Sequence, residues 1–184
     1  MTSSRWLVAV LFLAGCAKPP AVIDEIPPEI STSFDRLPGI LSGIRGPQDV
    51  VLREGLPSGF WEPELRVQAL RERATIERHG YRLYDARLPA TEEDCAQLTA
   101  IFASSTSFAP RRNAKQCGGF YPEYGIDWRT GEETTTALIS LECGEVKLHS
   151  PKSDLYCDLS PAAVSKLKSL LTDRQTKPSA ERGK

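Results

Sequence analysis

Three consecutive stretches between Tyr124 and Leu159 alternate apolar with polar residues, and this period of two restricts the fold more than any other feature of the chain. Successive side chains of a β-strand point to opposite faces, so such alternation is typical of strands with one buried face. The turn-forming segments 129–132 and 150–153 separate the stretches. The sequence therefore predicts antiparallel strands joined by hairpins.

Within the second stretch, the apolar positions change from odd-numbered to even-numbered residues across Gly144. The odd-numbered set is Ala137, Ile139, Leu141 and Cys143, and the even-numbered set is Val146 and Leu148. If this strand is continuous, one extra residue must be absorbed between the two sets. We therefore expect a β-bulge at Gly144, where glycine supplies the unusual backbone angles.

Helical spacing and end signals predict two helices before this region and one after it. Thr91 and Ser160 are candidate N-caps of the second and third helices, and Gly80 follows the first, with His79 at its end. The expected helices span residues 63–79, 91–103 and 160–171, and two further strands are expected over residues 49–54 and 81–85. The predicted fold is α+β, an antiparallel meander of three or more strands with helices packed on one face.

The N-terminus has the organisation of a secretory signal, with Arg5 before the short apolar run of residues 6–14. That run is shorter than the ~20 residues needed to cross a bilayer. Leu13-Ala14-Gly15-Cys16 resembles the lipobox of bacterial lipoproteins. The resemblance implies cleavage before Cys16 and acylation of Cys16, palmitate being one such acyl group. Lipoproteins kept in the inner membrane typically carry aspartate two residues after this cysteine, where this chain has Lys18. The resemblance therefore also implies that the protein is sorted to the outer membrane.

The domain organisation follows from these features. We expect a signal peptide over residues 1–15, a lipid anchor and proline-rich tether over residues 16–46, one α+β domain over residues 47–173 and a disordered tail over residues 174–184. Apolar residues at near-helical spacing interrupt the tether between Phe34 and Ile44. They indicate either a short helix that packs on the domain or a partner, or an apolar stretch of linker.

Charge gives no sign of nucleic-acid binding, because the chain carries 23 basic and 24 acidic residues with a formal net charge of −1. The partners that we expect are the membrane, through the N-terminal lipid, and an envelope protein. No cofactor or metal is expected.

Four cysteines follow Cys16, and an even number in an exported chain favours two disulfides. The alternatives are buried free thiols and a zinc site that also uses His149. A nucleophilic cysteine is disfavoured, because it needs exposure and a nearby base. The disulfide candidates are Cys95, Cys117, Cys143 and Cys157.

The sequence has no motif of a common enzyme class. It lacks the nucleophile elbow, the HExxH motif and a glycine-rich phosphate loop. We therefore assign no catalytic residue. Glu123 and Asp127 share one strand face and could act as paired carboxylates, although a solvated face explains them more simply. Arg111, Arg112 and Lys115 form a basic loop that could contact an anion, or could be ordinary solvated charge.

Two segments, CGGFYPEY at Cys117 to Tyr124 and CGEVKL at Cys143 to Leu148, resemble a family of uncharacterised bacterial proteins with a "CGGFHPDY"-like segment and a "CHEVK"-like strand. VVLREGLP at Val50 to Pro57 and LYCDLS at Leu155 to Ser160 are similar to other parts of that pattern. The resemblance implies a single domain and carries no activity. Tyr121 and Gly144 replace family-like histidines, so a role of those histidines in metal binding or catalysis would be lost here.

Taken together, these features predict a lipid-anchored cell-envelope protein with a binding, structural or accessory role at the outer membrane. The alternative is an envelope hydrolase or metal-dependent enzyme whose site is assembled only in the fold. A deep pocket that gathers His149 or His79 with carboxylates would favour the enzyme, and a shallow apolar patch would favour binding. An inhibitor or accessory subunit is a third possibility.

Overall fold

The structure, a computed structural model, describes residues 30–112 and 119–174. These residues form one antiparallel sheet together with helices. Its eight strands in this part of the chain are β1 (Asp49–Gly55), β2 (Thr75–Arg78), β3 (Tyr81–Arg87), β4 (Phe108–Ala109), β5 (Tyr124–Thr130), β6 (Glu133–Ser140), β7 (Glu145–Ser150) and β8 (Ser153–Leu159). Their order across the sheet is β2-β3-β1-β5-β6-β7-β8-β4.

Helices complete an α+β fold with this sheet, as the sequence predicts. The helices of the described residues are α1 (Leu37–Ser42), α2 (Pro63–Glu72), α3 (Glu92–Phe102) and α4 (Pro161–Leu171), with 3-10 turns at Phe34–Arg36, Ser105–Ser107 and Thr172–Arg174. No helix within residues 30–112 and 119–174 is both long enough and apolar enough to cross a membrane.

The core lies between the helices and the apolar positions of the alternating strands. Tyr124, Ile126 and Trp128 of β5 are fully buried there, as are the inward residues of β6, β7 and β8. α1, α3 and α4 contribute the opposite side of this core. The face that the period of two predicts to be apolar is therefore the face that packs against these helices.

The segment between Phe34 and Ile44 belongs to the domain, because α1 packs into the core. Leu37, Ile40, Leu41 and Ile44 are each at most 4% exposed. Of the two alternatives for this segment, the helix packed on the domain is the one observed. The packed chain thus begins before residue 47, while the expected signal peptide, Cys16, residues 17–29 of the expected tether and the expected tail from residue 175 lie outside the described residues.

The first predicted helix is wrong in its second half. α2 ends at Glu72, and residues 75–78 form β2, which pairs with β3 in a hairpin. Thr75 and Ile76 are β-branched and pack well on a pleated surface. His79 and Gly80 form the turn with φ angles of 50° and 80°, so His79 lies at a hairpin tip and not at a helix end.

The expected β-bulge at Gly144 is also wrong, because the chain reverses there. β6 ends at Ser140, β7 begins at Glu145, and these two residues are paired. Gly144 has a φ angle of 61° in the intervening turn. In this register an odd-numbered residue of β6, such as Ile139, faces an even-numbered residue of β7, such as Val146, which explains the change of phase.

Both predicted N-caps are confirmed. The Thr91 hydroxyl accepts a hydrogen bond from the Asp94 amide, and the Asp94 carboxylate accepts one from the Thr91 amide, which forms a capping box at α3. The Ser160 hydroxyl accepts from the Ala163 amide at the start of α4. These local bonds fix where the two helices begin.

The β2–β3 hairpin bends across the second face of the sheet. The pairing of β3 with β1 shifts register between Arg53 and Gly55. Beyond this shift, Leu83 of β3 packs over Gly125 of β5, where any larger side chain would collide with it. The hairpin tip therefore lies over the polar positions of the central strands.

Candidate functional site

The second face of the sheet carries a buried lysine enclosed by aromatic rings. Lys147 lies on β7, and its ammonium nitrogen is 4.8–4.9 Å from the ring centroids of Tyr81, Phe120 and Tyr156. We call these four residues the Lys147 box. Tyr156 is the cross-strand neighbour of Lys147 on β8, and Tyr81 arrives from the bent hairpin. The rings also contact each other edge to face, through Phe120 in the middle.

The Lys147 ammonium is largely withdrawn from water, since the residue is 8% exposed. It donates one hydrogen bond, to the Tyr81 hydroxyl at 2.6 Å. Among the described residues, no carboxylate lies within ion-pair distance of it. Burial, followed by the nearby charge of Arg111, lowers the pKa of Lys147. The rings supply cation–π attraction, which is worth about 0.5–2 kcal/mol per pair.

Glu145 lies two residues before Lys147 on the same strand face, and other groups engage it. It accepts a hydrogen bond from the Tyr156 hydroxyl at 2.8 Å and pairs with Arg111 at 3.9 Å. The Arg111 guanidinium stacks on the Tyr156 ring at 4.2 Å. Burial and the bond to Glu145 raise the pKa of Tyr156 to about 12, so its hydroxyl stays protonated.

A second polar cluster surrounds Asp127 on β5. Its carboxylate pairs with Arg53 of β1 at 3.1 Å and with Arg78 of β2 at 3.4 Å, and it accepts a hydrogen bond from Thr136 at 2.8 Å. The side chains of Arg53 and Asp127 are only 7% and 4% exposed. This cluster ties the hairpin tip to the sheet and so helps to hold Tyr81 in place.

The two histidines, which are seventy positions apart in the chain, stack on each other between these clusters. Their ring centroids are 3.8 Å apart and the rings are parallel within 2°. His79 is the exposed member, whereas the Nε2 atom of His149 is buried without a hydrogen-bond partner among the described residues. Burial, then the proximity of His79 and Lys147, lowers the pKa of His149 to about 3.

This low pKa predicts acid sensitivity. The unfolded chain binds a proton at residue 149 below about pH 6.5, whereas the folded chain does so only near pH 3, so stability falls as the pH falls between these values. We expect His149→Gln to flatten the dependence of the unfolding free energy on pH by about 1 kcal/mol per unit between pH 6 and pH 4. Urea unfolding at several pH values measures it, and parallel curves for the two proteins would contradict it.

Of the three residues predicted to contact an anion, the structure describes Arg111 and Arg112. Arg111 is engaged by Glu145 and Tyr156 of the protein itself. Arg112 is exposed, and its backbone amide donates to Asp158 at 3.3 Å. Lys115 lies outside the described residues. A cation outside this loop, Lys147 of β7, is buried and has no carboxylate within ion-pair distance among the described residues. The alternating sequence of β7 gave no signal of a site there.

The prediction of two disulfides is wrong for two of the four cysteines. Cys95 and Cys157 are free thiols, and Cys157 is fully buried. Cys157 lies on the core face of β8, where burial raises the pKa of its thiol to about 12. Cys143 is disulfide-bonded. Cys117 also lies outside it.

These states predict the labelling pattern of the cysteines. In denaturant without a reducing agent, Cys95 and Cys157 should each take up one alkyl group, whereas Cys143 should react only after reduction. In the folded protein Cys157 should stay unlabelled, because it is inaccessible and its thiolate form is disfavoured. Peptide mapping by mass spectrometry reads out each position, and protection of Cys95 or Cys157 in denaturant would contradict this pattern.

The other ligand groupings considered from the sequence are also separated. Asp127 is buried among arginines, while Glu123 accepts a hydrogen bond from the Glu142 amide. Cys157 faces the core, and His149 lies on the opposite face of the sheet. Within the described residues, no three histidine, cysteine, aspartate or glutamate side chains are grouped so that they could hold a metal ion.

The comparisons with known proteins add no assignment: no family model, curated protein or solved structure matches the chain.

Proposed function

We propose that the protein is a lipid-anchored binding protein of the bacterial cell envelope, with the Lys147 box as its ligand site. The observation that carries the binding role is the buried Lys147 ammonium, which faces three partly exposed rings and has no carboxylate partner among the described residues. Burying an ion without a counter-ion costs several kcal/mol. A buried charge that is retained despite this cost is typical of a functional site.

The anchoring role rests on the N-terminal sequence alone. Leu13-Ala14-Gly15-Cys16 resembles a lipobox and follows a short apolar run that begins after Arg5. Acyl chains on Cys16 would hold the domain at a membrane, since each buried methylene contributes about 0.8 kcal/mol. Lys18 favours the outer membrane by the sorting rule of that family. A role as an accessory subunit is compatible with the same anchor.

Expression of the full chain with its own leader in a bacterial host tests the anchor. We expect the intact mass to correspond to a chain that begins at an acylated Cys16, and the protein to sediment with the outer membrane. Cys16→Ala should remove the acyl mass and abolish cleavage before residue 16. An unmodified Cys16 in the membrane-extracted wild-type protein would refute the anchor.

The histidine pair is the observation that favours the alternative, an envelope enzyme. The two imidazoles lie close together, and histidine is the side chain that most often serves as a general base. The pKa of about 3 keeps His149 neutral at pH 7 but makes it a weak base. The nearest carboxylates are engaged elsewhere, because Asp127 pairs with two arginines and Asp154 pairs with Arg36. Among the described residues no carboxylate hydrogen-bonds to either imidazole, so binding is the better supported role.

A further inference from the structure

Within residues 30–112 and 119–174, the contacts of the box leave donor capacity of Lys147 unused. An ammonium group carries three N–H donors, and the bond to Tyr81 uses one of them. Aromatic faces attract the charge but accept hydrogen bonds only weakly. Glu145, two residues away on β7, is the nearest carboxylate along the strand, and it is held by Tyr156 and Arg111. The box thus presents a cation suited to an acceptor from outside the protein.

The surroundings of the cation define the shape of such a ligand. Tyr81, Phe120 and Tyr156 are each partly exposed, so their rings form an apolar rim around the ammonium. Leu138, the cross-strand neighbour of Lys147 on β6, is buried beside it. An inorganic anion would gain nothing from this rim, whereas a flat apolar body would pack against the rings.

We propose that Lys147 binds the carboxylate of a small aromatic acid, whose ring packs against Tyr81, Phe120 and Tyr156. This inference rests on the binding role proposed above and names the ligand class of that site. A carboxylate offers two oxygens to the free ammonium donors, and charge-assisted bonds of this kind are roughly twice as strong as neutral ones. The aromatic side chains have few rotatable bonds, so their contact area is gained at a small loss of conformational entropy.

Calorimetric titration of the acylated full-length protein in detergent tests the proposal, with benzoate as the probe. Benzamide has the same shape without the charge, and inorganic phosphate has the charge without the ring. We expect benzoate to bind more tightly than either by about tenfold, which is 1.4 kcal/mol. Phosphate binding as tightly as benzoate, or no binding of benzoate at all, would overturn the proposal.

Two matched variants locate the site. Lys147→Met keeps the length of the side chain and favourable contacts with the rings, and it should weaken benzoate binding by at least about tenfold. Lys166→Met removes the same charge from an exposed position on α4 and should leave binding within about twofold. Equal binding by Lys147→Met and the wild-type protein would overturn the assignment.

A stability measurement separates a functional lysine from a structural one. If the ammonium is retained for a ligand, Lys147→Met removes a buried charge that has no ion pair among the described residues and should raise the thermal midpoint without ligand. A lowered midpoint would show that Lys147 serves the fold and would overturn the proposal. The intact mass of the same preparation reports acylation of Cys16, so failure of the anchor and failure of the ligand class are distinguished.

Discussion

Asp127→Ala is expected to destabilise the fold by about 3–5 kcal/mol, because it leaves a buried guanidinium without its counter-ion. Arg53 is 6% exposed, and its shortest ion pair in the described residues is the one with Asp127 at 3.1 Å. Arg78 and Thr136 would lose the same acceptor. Urea unfolding at neutral pH, followed by circular dichroism, measures the loss.

Asp49→Ala is the matched control for this variant. Asp49 also pairs with two arginines, Arg87 at 3.9 Å and Arg129 at 3.8 Å, but its side chain is 42% exposed. Exposed pairs contribute about 0.2–1 kcal/mol. If Asp49→Ala and Asp127→Ala lowered the free energy of unfolding equally, burial of the ion pair would not explain the loss of stability in Asp127→Ala. Asp127→Leu combined with Arg53→Met should recover much of the loss, since no charge is then stranded between them.

Phe102→Ala should cost about 3–5 kcal/mol, the range observed when a buried aromatic residue is truncated to alanine. Phe102 at the end of α3 is fully buried, with ring centroids 5.0 Å from Trp128 and 5.9 Å from Phe108. Truncation removes ring contacts between α3 and the sheet and leaves a cavity. The urea midpoint, with the denaturant slope unchanged, reports it.

Phe60→Ala is the control for the same chemical change at an exposed position. Phe60 is 58% exposed and lies edge to face with Trp61, which is 63% exposed. Its truncation should change stability by no more than about 0.5 kcal/mol. Comparable losses at both positions would contradict the arrangement of α3 on the sheet.

Elements with strong local signals were predictable from the sequence. The alternation at Tyr124, Ile126 and Trp128 identified the core face of β5, and the caps at Thr91 and Ser160 identified where two helices begin. Signals of this kind depend on neighbours only a few residues away. They predict the folded structure correctly because burial and capping act on the same residues that carry the pattern.

The errors arose where local signals conflict. The charged segment after Pro63 suits a helix, yet its β-branched end at Thr75 and Ile76 joins the sheet once Tyr81 to Tyr84 lie opposite. The period of two also cannot distinguish a bulge at Gly144 from a reversal of the chain. Free Cys95 and Cys157 show that an even count of cysteines does not determine their pairing.

The candidate site is decided by the tertiary structure. The sequence places Lys147 and His149 on the face of β7 opposite Val146 and Leu148, and such a face is solvated in an ordinary two-layer fold. Here the register shift in β1 and β3 bends the hairpin over that face, so that Tyr81 reaches Lys147 and His79 reaches His149. Alternation encodes which side of a strand a residue occupies, whereas the cover over that side depends on contacts between residues far apart in the chain.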